Sequence, residues 1–205
     1  MKPLLALVAC AIALSLPSLG SASILYSALP DNDVSSPNIY FTWSGSAHFS
    51  LGDDSILNGA TLALWMSNDV TPSTLDWSIQ NSTGATTLFS GTGAALTNVG
   101  PTPVRHGDYS LYYSTFSLPD LDLSAGNYLL HISNCGTDDH NGCGWGLVSD
   151  VTGGGNDIQF TGETPATIGR YAFSIQGDAA APEPATWMMF VPAIAGLTTL
   201  VRRRA

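Results

Sequence analysis

A chain of 205 residues with 44% apolar side chains is long enough to bury a real core and too apolar to stay disordered. Charged residues make up only 11%, which disfavours a helical protein, whose exposed faces normally carry Lys, Glu and Arg. Between Ser23 and Ala180 fifteen acids face two arginines, Arg105 and Arg170. Such a body repels phosphate backbones, which argues against a nucleic-acid partner.

The chain opens on MKPLLALVACAIALSLPSLGSAS: a basic start, an apolar stretch from Leu4 to Leu16, then Gly20, Ser21 and Ala22. That layout predicts a secretory signal peptide over residues 1–22, cut after Ala22. Leu7 to Cys10 is similar to a lipobox, but a cut before Cys10 would split the apolar region, so Cys10 reads as part of it.

From residue 23 to 178 short alternating runs dominate. In order they are NIYFTW, AHFSL, TLALWMS, TLDWSIQ, YSLYYSTF, NYLLHIS, WGLVS, DIQF and RYAFSIQ. LGDDS, NSTGA, GTGAA, NVGPTP and TGGGND punctuate them as turns. About nine such strands without an amphipathic helix predict an all-β domain, an antiparallel jelly-roll-like β-sandwich. The absence of a fixed repeat argues against a propeller or solenoid. LDLSAGNYLLHIS resembles the turn-and-core-strand pattern of many secreted bacterial sandwich domains, with Tyr128, Leu130 and Ile132 on one face.

Export makes sense of the cysteines. With Cys10 lost, Cys135 and Cys143 remain in NCGTDDHNGCGW, an even pair expected to form a disulfide. Closing so small a loop contributes about 2 to 3 kcal/mol by chain entropy. Zinc is disfavoured, because C-x7-C with one histidine is not a zinc spacing. No cofactor is expected, with calcium as the alternative: Asp138, Asp139 and Asp157, with Asp31, Asp33, Asp53, Asp54 and Asn156, offer hard oxygen ligands on loops. The same residues are the default chemistry of turns. GGGND is similar to a calcium-binding nonapeptide but occurs once and incomplete.

Aromatic rings stack on sugars as well as filling cores. Trp65 and Trp77 lie in runs expected to be buried, leaving Trp145, Tyr112 and Tyr113 as candidate carbohydrate contacts. Adjacent strand residues face opposite ways, so only one of Tyr112 and Tyr113 is expected in the core. Catalytic motifs are missing: there is no G-x-S-x-G, H-E-x-x-H or P-loop. The four histidines are dispersed, and Glu163 is the only glutamate of the body. The expectation is a protein without enzymatic activity and with no catalytic residue.

The chain closes on APEPATWMMFVPAIAGLTTLVRRRA, residues 181 to 205. The uncharged stretch from Trp187 to Val201 spans about 22 Å as a helix, short of the roughly 30 Å hydrocarbon core. Arg202, Arg203 and Arg204 fix its cytoplasmic side. Pro182, Glu183 and Pro184, then a short apolar helix, then the arginine cluster together resemble the PEP-CTERM sorting signal, here over residues 179–205. The resemblance implies recognition by exosortase, a membrane protease of Gram-negative bacteria that export polysaccharide. It also implies transient membrane anchoring, cleavage near the Pro-Glu-Pro motif, and delivery to the cell surface or extracellular matrix. The expected role is a surface or matrix protein associated with exopolysaccharide. The alternatives are a carbohydrate- or calcium-binding module and, further off, a secreted hydrolase.

Overall fold

The computed structural model describes residues 22–28, 43–67, 73–103, 105–106, 109–136, 143–148, 157–161, 164–167 and 169–179. Residues 1–21 of the expected signal peptide, the Pro182-Glu183-Pro184 tail, Arg202 to Arg204, and Asp138 and Asp139 lie outside them. No helix among the described residues is long and apolar enough to cross a membrane.

The described residues form strands and no helix. In chain order these begin with β1 (Ser23–Ser27), β2 (Trp43–Leu51), β3 (Ser55–Ser67), β4 (Thr74–Asn81), β5 (Thr87–Ala95), β6 (Thr97–Val99) and β7 (Arg105–His106). They continue with β8 (Tyr109–Leu123), β9 (Gly126–Gly136), β10 (Gly144–Trp145) and β11 (Leu147–Val148). The last are β12 (Ile158–Thr161), β13 (Thr164–Thr167), β14 (Arg170–Tyr171) and β15 (Phe173–Ala179). One sheet runs β1-β15-β3-β8-β6, with β10 on β3 and β7 on β8. The other runs β13-β12-β2-β9-β4-β5, and β11 pairs β14 in a small third ladder. Every pairing is antiparallel.

The period-2 pattern explains the packing into a β-sandwich-like body. Phe49 and Leu51 of β2, Leu75, Trp77 and Ile79 of β4, and Leu130 and Ile132 of β9 bury one face of the second sheet. They join one core with Leu62, Leu64 and Met66 of β3, Phe116 of β8, and Phe173 and Ile175 of β15. Each such side chain, once buried, contributes roughly 1.5 to 3 kcal/mol, so this row of contacts is the main force holding the layers together. Trp65 and Trp77 are buried as expected. At the start of β9, the Tyr128 hydroxyl donates to the Ser124 carbonyl at 2.8 Å and pins the turn from β8.

Two segments differ from the sequence reading. GTGAA, expected as a turn, lies inside β5. Gly91 serves packing there, since a Cβ would stand 2.6 to 2.9 Å from the Trp77 indole. Gly93 takes a positive φ of 63°, which a glycine adopts without strain. SILYS, unassigned by pattern, forms β1, because Leu25 and Tyr26 pack on the core while its backbone pairs β15.

Cys135 and Cys143 are joined, with Cα atoms 6.1 Å apart. Cys135 belongs to β9 of the second sheet, and Cys143 directly precedes β10, which pairs β3 of the first. The bond therefore staples the two layers at one end. Both sulfurs are in the core.

Candidate functional site

Three groups of residues bear on function: a buried carboxylate between the sheets, the polar outer face of the second sheet, and the aromatic positions.

Asp157 stands just before β12. Ile158 pairs with Ser46, so β12 covers the edge of β2 only as far as that residue. Beyond it the Asp157 side chain takes the place of a strand. Its Oδ1 accepts the His48 backbone N–H at 2.9 Å and lies 3.2 Å from His48 Nδ1. Its Oδ2 accepts the Tyr171 N–H at 2.6 Å, in the segment that leads into β15. One carboxylate, 2% exposed, thus ties β2 of the second sheet to β14 of the small third ladder, which leads into β15. A carboxylate accepting two backbone N–H bonds is well satisfied by protein alone.

Above it, Tyr171 is fully buried and stacks on Trp145, with ring centroids 4.1 Å apart and planes 16° from parallel. Gly45 makes room for the tyrosine ring; a Cβ there would stand 2.5 Å from Oη. Burial, and then the Asp157 charge, push the Tyr171 phenol well above its ordinary range, so it stays neutral. Trp145 Nε1 donates to the Ala172 carbonyl at 3.0 Å, and Phe173 meets the indole edge-on.

This geometry corrects one candidate site and gives a structural role to a second. Trp145, expected at the surface as a carbohydrate contact, is 0% exposed. Its short run WGLVS is drawn inward because Gly144 and Trp145 pair with Trp65 and Leu64 of β3. Asp157, a candidate calcium ligand, has each oxygen accepting a backbone N–H. Asp54 of the LGDDS group likewise accepts the Ala125 N–H at 2.8 Å and holds a turn. Tyr112 and Tyr113 face opposite ways as expected, yet both are half-buried: Tyr112 packs on the main core and Tyr113 on a cluster containing Trp65 and Leu111. The more exposed ring of β8 is Tyr109 at its start. Among the described residues no three His, Cys, Asp or Glu side chains group to hold a metal.

The outer face of the second sheet is polar where the inner face is greasy. Ser46, His131 and Ser78 sit side by side on β2, β9 and β4. Ser46 Oγ and His131 Nδ1 are 2.8 Å apart. On the next row His48 is 42% exposed at its side chain, with its ring anchored by Asp157. Asp76 of β4 accepts the Gly93 N–H at 2.7 Å and the Asn134 amide at 2.6 Å, bridging β5 to β9. The sequence hides this arrangement because Ser, His and Asp at alternate positions look like any solvated face.

Burial holds the His131 pKa below its ordinary 6.5. The unfolded chain then binds more protons than the folded one as pH falls below about 6.5, so stability present above that value is lost on acidification. His131→Gln, which keeps a hydrogen-bonding partner for Ser46, is expected to flatten the fall in Tm between pH 7 and pH 5. Parallel melting curves of the two proteins across that range would show that His131 does not titrate in this way.

The only two cations of the body are engaged. Arg170 donates to the Tyr26 hydroxyl at 2.8 Å with its guanidinium 5.8 Å from that ring's centroid, and Arg105 donates to Ser110 Oγ at 3.2 Å. Compared with protein-family models, curated proteins and solved structures, the chain matches none of them.

Proposed function

We propose that this is an exported, non-enzymatic surface or matrix protein whose body is a jelly-roll sandwich, sorted by exosortase through a PEP-CTERM tail and associated with exopolysaccharide. The observation that carries the reading is the succession of three parts in the C-terminal sequence, Pro182-Glu183-Pro184, an apolar run too short to span comfortably, and Arg202 to Arg204, in a chain that opens on a signal-peptide pattern. A Cys135–Cys143 pair suits an oxidising compartment. The jelly-roll assignment is supported by strand order. Counting β1, β2, β3, β4, β5, β8, β9 and β15 as strands one to eight, the sheets run 1-8-3-6 and 2-7-4-5. Successive strands thereby alternate between layers, apart from the β4–β5 hairpin.

For the sugar- or calcium-binding alternative, Trp145 is buried, and Asp157 already accepts two backbone N–H bonds. The intact mass of the protein released by the producing cell tests the sorting reading. The expected mass lacks residues 1–22 and the segment from Trp187 to Ala205; a released form that retains that segment overturns it.

A further inference from the structure

The two proposed membrane addresses attach to neighbouring strands. Residue 23 begins β1 and residue 179 ends β15, and these strands pair antiparallel with Ser23 opposite Gly177. The first residue after the signal peptide and the last residue of β15 therefore leave the body at the same end, roughly 8 Å apart, since Ala179 lies two residues beyond Gly177, the partner of Ser23. That end is defined on both sheets. Ala179 lies opposite Ser55, and Ser55 opposite Leu123, so the β2–β3 and β8–β9 turns are there. The β4–β5 turn joins them, since Asn81 pairs with Tyr128 near the start of β9. The disulfide, the start of β4 and the start of β8 mark the opposite end.

We propose that the body is tethered by its short-turn end and projects its disulfide end away from the membrane, an orientation that rests on the sorting reading above. Lengths set the constraint. Seven residues, 180 to 186, separate β15 from the apolar run at Trp187. Fully extended they reach about 25 Å. The thirteen-residue strand β3 is roughly 43 Å long. A body hung on so short a leash cannot stand inverted, with its disulfide end at the lipid and its tethered end a full strand length above. The shared exit also lets the body fold while the signal peptide is still attached, because neither address has to be threaded to the far end of the sandwich.

The test uses the full chain in vesicles of phosphatidylcholine and phosphatidylglycerol carrying a headgroup energy acceptor. With Cys10→Ser removing the one thiol outside the disulfide, a donor dye is placed on Asp53→Cys at the tethered end or on Ser73→Cys beside the start of β4; both positions are exposed. Gly52→Cys, where a side chain meets open space, repeats the first reading independently. Severalfold stronger transfer from positions 52 and 53 than from 73 is the expected result. Equal or reversed transfer in vesicle-bound chain overturns the orientation and leaves the sorting reading standing. Full-length chain that does not bind vesicles at all overturns both.

Discussion

Trp145→Ala lowers the free energy of unfolding by about 3 to 5 kcal/mol, the usual range for emptying a buried tryptophan site. Three losses combine: the stack on Tyr171 at 4.1 Å, the edge contact with Phe173, and the hydrogen bond to the Ala172 carbonyl. The Ala172 carbonyl also accepts the Ala63 N–H at 3.0 Å, so it keeps one partner and the cavity dominates. Trp145→Phe restores most of the filled volume and forgoes the indole N–H, which is worth about 1 kcal/mol. A urea titration followed by far-ultraviolet circular dichroism measures both. A midpoint unchanged by Trp145→Ala would mean the ring is not in the core, and would return it to the surface role its sequence position suggested.

Asp157→Ala is expected to cost about 3 kcal/mol, because it strands the N–H groups of His48 and Tyr171 at once. Asp157→Asn falls between, since one amide oxygen serves only one of the two donors well. Chelation separates this account from a metal site. With Asp157 acting as a hydrogen-bond acceptor, excess EDTA leaves the native melting temperature where it was. A drop of several degrees on chelation, abolished by Asp157→Asn, would make the carboxylate a cation ligand instead.

How far the residues spoke for themselves varies by position. The runs TLALWMS, TLDWSIQ and NYLLHIS led directly to β3, β4 and β9: the period of two is visible in TLDWSIQ, whereas TLALWMS is a short apolar run buried on both faces, with Leu62, Leu64 and Met66 in one cluster and Ala63 and Trp65 in another. SILYS was illegible because an edge strand of five residues gains its order from pairing β15, a partner some 150 positions away. GTGAA misled for a related reason: glycine signals a turn locally, but here it admits the Trp77 ring from across the ladder. The candidate site suffered most. Trp145 and Asp157 both sit among glycines and polar residues, a local composition that advertises a loop. Their burial comes from β3 on one side and the Tyr171 segment on the other, neither of which is a neighbour in sequence.

The side-by-side departure of β1 and β15 also sets how the protein answers force. A pull on the tail at Ala179, resisted by whatever holds the opposite end, runs along β15 between β1 and β3. Both ladders are then loaded in shear, and their hydrogen bonds share the strain together. A pull between Ser23 and Ala179 instead peels the same pair apart one bond at a time. Drawn between Ala179 and the disulfide end, the body resists; drawn between Ser23 and Ala179, it opens like a zip.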